Sequence, residues 1–229
     1  MPRITELCED FAERFAFEPS RVLGIAKALR EAGLLKAGPR GKNAPDATAL
    51  DAARILIGMM LRVKQDEVAE GVSLFGSFPA NIKNLNGLNA PATFELAFAE
   101  ILDRCATKGK EWYSNKGFEV KIIRDYSYAS VFIAKLASDD DPRMDDDDFY
   151  PVLAQNEFRY LHPEMLKIQP NDPLLHPDLL EGWRKYRSGF HEEPVLLNND
   201  LREISEVLAG RIPPKKAPDE RKPRSKAQS

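Results

Sequence analysis

Apolar residues recur every three or four positions through the first hundred or so residues, and give way to short β-branched and aromatic runs from residue 118. Ile4, Leu7, Phe11 and Phe15 predict a first helix from Thr5 to Arg14, with Thr5 placed to cap it. Pro19 disfavours helix at Glu18 and suits the start of a second helix, Ser20 to Leu35. Val22, Ala26, Leu29 and Gly33 form its inner face, widened by Leu23 and Ile25, and Gly33 is placed to end it with Leu34 and Leu35 as the contact beyond. Thr48 with Asp51 three residues on reads as a capping box opening a third helix. The run "AARILIGMMLRV" is apolar on nearly every side, so this helix is expected to be buried all round. A shorter fourth helix follows from Asp66 to Phe75, then a loop rich in Gly, Pro and Asn. Thr93 is placed to cap a fifth helix, with Phe94, Ala97, Phe98, Ile101 and Leu102 as its inner stripe.

From residue 118 the signal changes. "FEVKIIR" and "YASVFIAKL" are β-branched and aromatic, with turn residues around Asp125 between them, which predicts a hairpin. Short strands are expected at "EFRYL" and "EPVLL", and a last helix, "LREISEVLAG", capped by Asn199 or Asp200. The final residues, "RIPPKKAPDERKPRSKAQS", have nothing to bury and are expected to be disordered. The fold class is therefore α+β. A basic helical head spans 1–62, a helical connection 63–110, a small hairpin-containing domain 111–210, and a basic tail 211–229.

Composition adds bounds. With 43% hydrophobic and 30% charged residues, the 229-residue chain can bury a real core. No apolar run is long enough to span a bilayer, and the N-terminus lacks the apolar stretch of a signal peptide, so no membrane partner and a cytoplasmic location are expected. Cys8 and Cys105 stand apart, with no CxxC; a reducing compartment suits them, and one long-range disulfide stays open.

The net charge of −3 hides a division. Residues 1–64 hold 11 Lys and Arg against 8 Asp and Glu, a net of +3; residues 65–210 hold 15 against 26, a net of −11; residues 211–229 hold 7 against 2, a net of +5. Basic ends around an acidic centre point to a polyanionic partner.

The catalytic signatures fail to appear. The chain has no GxSxG, HExxH, Walker A or GxGxxG, so an enzyme is not expected. His162, His176 and His191 are isolated, and Asp139–Asp141 with Asp145–Asp148 lack the spacing and glycine of a calcium loop, so no metal or cofactor is expected. That acidic loop reads as solvated, with a DNA mimic or a partner for the basic tail as the other readings. Trp183, Tyr186 and Phe190 interleave with Arg184, Lys185 and Arg187, a pattern that suits either core packing or base stacking.

The remaining signal lies in "LREAGLLKAGPRGKNAPDATALDAARIL", where the second helix ends, a glycine-rich basic loop follows, and the third begins. This order over about the first 62 residues resembles the winged helix-turn-helix of the mercury-resistance regulator (MerR) type, although the second helix lacks that family's aromatic pair. The resemblance implies a second helix in the major groove and a wing on the backbone, as in phage-derived or mobile-element proteins with such a head. The residues alone support the same expectation. Ser20, Arg21, Gly24 and Lys27 share the polar side of the second helix, and Arg21 is either a base-reading residue or a partner of Glu18. Lys36, Arg40, Lys42 and Asn43 occupy the loop, where Gly38 and Gly41 allow close approach to phosphates. Gly24 is unusual inside a helix, and either a nearby backbone or a tight crossing accounts for it. The expected function is binding of double-stranded DNA, as a transcription regulator or a packaging initiator resembling small terminase subunits, in a homo-oligomer. The other reading is an interaction protein whose acidic body or basic tail binds a host protein.

Overall fold

A computed structural model describes residues 2–36, 38, 45–80, 84–85, 88–89, 91–123, 128–136, 152–163 and 195–215. Four helices open the chain: α1 Ile4–Arg14, α2 Pro19–Glu31, α3 Ala49–Leu61 and α4 Val68–Gly76. A two-residue ladder, β1 Asn84–Leu85 with β2 Leu88–Asn89, precedes α5 Phe94–Lys108 and the single turn α6 Lys110–Tyr113. Strands β3 Lys116–Ile123, β4 Tyr128–Leu136, β5 Val152–Leu161 and β6 Val195–Leu197 form an antiparallel sheet in the order β5-β4-β3-β6, and α7 Asn198–Leu208 closes the described elements. The α+β class expected from the change of period is the one observed.

Local chemistry accounts for most boundaries. Thr48 and Asp51 form the expected capping box: the Asp51 N–H donates to the Thr48 hydroxyl at 3.1 Å, and the Asp51 carboxylate accepts the Thr48 N–H at 2.9 Å. Pro19 occupies the first position of α2, where its missing N–H costs nothing. Four residues before the expected Leu35, α2 ends at Glu31. Gly33 adopts φ +74°, and the N–H groups of Gly33 and Leu34 donate to Arg30 and Leu29 carbonyls at 3.0 and 2.8 Å. That paired closure needs a left-handed residue, which stops the helix at once.

Two expected caps are corrected, and a third keeps its place without its bond. The first helix begins at Ile4, so Thr5 lies inside it; Arg3 is the N-cap, and the Glu6 carboxylate accepts its N–H at 2.8 Å. The last helix begins at Asn198 behind Leu197, which leaves Asp200 in the first turn, where a carboxylate favours the helix dipole. Thr93 does stand before α5, yet its buried hydroxyl makes no capping bond, because Thr93 is held in a bridge to Pro79.

Helix α3 is buried on almost every side, packed by α1, α2, α4 and α5. At the α2–α3 crossing stands Gly58, where a Cβ would come within 2.8 Å of Ile25 Cγ2 and 3.3 Å of Val68 Cγ1. The stripe expected on α5 is buried throughout, and α5 lies between the head helices and the sheet. Alternate residues of the sheet, Phe118, Val120, Ile122, Ala129, Val131, Phe158 and Tyr160, join the same buried set as Leu7, Phe11 and Leu29 of the head. Each fully buried Leu, Ile or Phe stabilises the fold by roughly 1.5–3 kcal/mol before conformational entropy is counted, so one continuous core links head and sheet. Cys8 and Cys105 are free and buried, and burial pushes their thiols up to about 12 and about 11, which leaves them unreactive.

The start of the tail departs from expectation. Residues 211–215 clasp the body instead of leaving it. Arg211 donates to the Cys105 and Ala106 carbonyls at 3.1 and 2.8 Å and pairs with Glu206. The Lys215 N–H donates at 2.8 Å to Asp10, a fully buried carboxylate that also takes Arg14. Arg14 in turn reaches Glu203 of α7, so α1, α7 and the tail meet on one ion network.

Candidate nucleic-acid interface

The exposed face of α2 is a consequence of its buried one. Val22, Ile25, Ala26 and Leu29 are sealed against the core, and at 100° per residue this turns Ser20, Arg21, Gly24 and Lys27 together onto the opposite arc. Ser20, Arg21 and Lys27 are exposed, as the pattern requires. Leu23, expected to widen the inner face, is instead 38% exposed, because α1 and α3 cover a narrower stripe.

The Arg21 guanidinium lies over the Phe17 ring at 5.6 Å from its centroid, a stacking contact in place of the Glu18 pair. Arg21 remains exposed in this contact. Lys27 faces Glu31 at 3.8 Å with both side chains 68% exposed, a pair worth a few tenths of a kcal/mol and readily exchanged for another anion. Lys36 is exposed just beyond the Gly33 closure. Arg40, Lys42, Asn43 and Gly41 lie outside the described residues, as do the acidic loop, His176, His191 and the 183–190 aromatic–cation run.

Gly24 has a different explanation from the approach of a nucleic acid. The Gln65 side chain lies over it, Nε2 reaches the Gly24 carbonyl at 3.5 Å, and an added Cβ would sit 3.0 Å from the amide. The missing side chain admits the α3–α4 turn. That turn holds the residues the sequence reading passed over. Arg62 ends α3 in the left-handed region at φ 51°, ψ 30°, a conformation that costs a non-glycine residue about 1 kcal/mol or more. The chain then doubles back toward α2, and Arg62, Lys64 and Gln65 come to face Arg21 across an open cleft of about 420 Å³. Its buried floor is Ile25 and Val68, with Val63 beside them; no carboxylate lines it, although Asp66 and Glu67 follow on the same turn. Only the alternation of Arg62 and Lys64 around Val63 hinted at this in the sequence.

The presenting helix is held firmly. Arg54 of α3 donates to the Leu34 carbonyl just past α2 and makes a forked pair with Glu95 of α5, at 2.8 and 3.0 Å. The hydrogen bonds to Glu95 raise the Arg54 guanidinium above its ordinary value, so the arginine of this brace between α2 and α5 stays charged. Ahead of α1, the Ala47 N–H donates to the Pro2 carbonyl at 2.9 Å, and Arg3 bridges to Asp46, which ties the return of the basic loop to the N-terminus.

Elsewhere, His162 stacks edge-on to Phe78 at 5.7 Å, and no group of metal-ligating side chains occurs among the described residues. No helix among the described residues is long and apolar enough to cross a membrane. No protein-family model, curated protein or solved structure matches the chain.

Proposed function

We propose that this protein binds double-stranded DNA, with α2 as the helix that meets the major groove. The observation that supports the reading is the solvent face of α2: Ser20, Arg21 and Lys27 exposed on one arc of a helix whose other side is fully buried. A helix held this way offers donors to base edges at no cost in ordering. Lys36, with Arg40, Lys42 and Asn43 of the following loop, supplies the backbone contacts of a winged helix-turn-helix arrangement. One such helix reads few base pairs, so self-association into a homo-oligomer with two half-sites belongs to the same reading, as a regulator or a packaging initiator of phage or mobile-element type.

Fluorescence anisotropy with a labelled duplex tests it. Binding is expected at about 50 mM salt and should fall by orders of magnitude by about 200 mM, because each phosphate contact releases a counterion. Arg21→Ala should lower affinity and relax sequence preference at one position by roughly 1–3 kcal/mol, while Lys36→Ala should weaken all duplexes alike. Absence of binding at micromolar protein and about 50 mM salt would overturn the proposal.

A further inference from the structure

We propose that the outer face of α5 docks a second copy of this chain about a two-fold axis. Leu96 of each copy meets the apolar cleft of the other, and Glu100 of each pairs with Arg104 of the other. The inference deepens the homo-oligomer of the DNA-binding reading and rests on it for the choice of a second copy as occupant; its test needs no DNA.

Three observations converge on it. The first is a cleft beside that face. Ala97, Ile101, Val131 and Phe158 line it and are at most 5% exposed, while Trp112 and Ile133 stand half-buried at its sides. Its volume is about 60 Å³, against a share of about 30 Å³ for one water in the liquid, so it has room for the end of one aliphatic side chain. The second is Leu96, 44% exposed on the same helix and one residue before Ala97. An exposed leucine and an apolar cleft on one patch are both satisfied by a two-fold axis, which closes the assembly at a dimer. The third is the order of charge. Along its solvent side α5 carries Glu100 and Asp103 before Arg104 and Lys108, so an antiparallel copy sets acids against bases. Leu96 lies four residues before Glu100, and Lys108 four after Arg104. With Glu100 opposite Arg104, Leu96 therefore falls opposite Lys108, at the end of α5 that leads into Trp112. Within one copy Arg104 already pairs with Glu100, with side chains 46% and 39% exposed. An exposed pair one helical turn apart is worth little, and it exchanges for the same pair across the axis with every charge still matched.

Sedimentation equilibrium of the full chain without DNA tests it. The wild type is expected to sediment at twice 25.8 kDa. Glu100→Arg sets cation against cation across the axis, and Arg104→Glu sets acid against acid, so each alone should weaken the dimer by about tenfold or more. An equimolar mixture of the two should restore it, because one chain then supplies only cations and the other only acids. Carrying both substitutions on one chain should restore it as well. Leu96→Lys should dissociate the wild type and the restored dimer alike. All these positions are at least part-exposed, and far-UV circular dichroism checks that each variant folds. A wild type that stays monomeric at about 100 μM, a dimer indifferent to the single charge changes, or a mixture that stays monomeric would overturn the surface. Duplex binding by a monomeric wild type would overturn the surface and leave the DNA reading standing. A dimer restored by mixing, in a protein that binds no duplex, would support the surface and overturn the DNA reading.

Discussion

Gly58→Ala tests the geometry on which the whole head depends. The added methyl would meet Ile25 Cγ2 at 2.8 Å, with Val68 Cγ1 at 3.3 Å and Val72 Cγ2 at 3.4 Å. All three neighbours are β-branched and sit in helices, where χ1 is confined to nearly one rotamer, so none turns aside cheaply. Relief must come from a shift of α2 or α4 against α3. Overpacking of this kind costs about 1–3 kcal/mol, while replacing glycine by alanine within a helix returns about 1 kcal/mol. With three stiff contacts the cost should lie toward the upper end, for a net loss of about 1–2 kcal/mol. For a chain of this size that is a fall in Tm of about 2–8 °C. Urea unfolding of wild type, Gly58→Ala, Ile25→Ala and the double substitution measures it. Ile25→Ala removes the closest atom, so most of the cost should vanish in that background, a coupling of about 1 kcal/mol or more. A Gly58→Ala protein as stable as wild type, or one equally destabilised with and without Ile25, would refute the tight crossing.

Three further predictions concern the C-terminal clasp. Asp10→Ala takes the forked carboxylate from Arg14, whose side chain is only 4% exposed and keeps only Glu203, and leaves the Lys215 N–H without its acceptor; it should cost about 1–3 kcal/mol in urea unfolding, with loss of amide protection at Lys215. Hydrogen bonds from Arg211 hold the Glu206 carboxyl below its ordinary value. A depressed carboxylate stabilises the fold above the unfolded value near 4.5 and loses that contribution as pH falls through the folded value, so stability should drop in acid below about pH 4.5, and Glu206→Gln should flatten that slope. Deleting residues 216–229 keeps the clasp and removes most of the tail's cations; it should lower duplex affinity several-fold with sequence preference intact, and unchanged anisotropy titrations would count against a DNA role for the tail.

What the chain reveals without its fold is whatever is carried by neighbours in sequence. The Thr48–Asp51 box, the Gly33 closure, the buried run of α3, the inner stripe of α5 and the β3–β4 hairpin each depend on a few adjacent residues, and each was legible. So was the exposed arc of α2, since burial of Val22 and Leu29 dictates where Arg21 points. Cap identity at Arg3 and Leu197 was not, because bridges and entering strands set the chain direction there, whatever the best capping side chain nearby, while Thr93 stands at the expected N-cap without its capping bond. Tertiary structure alone decided the rest. Gly24 reads equally as an approach point or a tight crossing until Gln65, 41 residues on, is seen to lie over it. Nothing near Asp10 in sequence marks it as the acid that Lys215, 205 residues away, closes on. Arg62 and Lys64 read as the polar end of a buried helix, and they become partners of Arg21 only because α3 stops in a left-handed turn and α4 crosses back under α2. Periodicity reports which side of an element is buried; which charges then meet across a cleft is set by how those buried sides pack together.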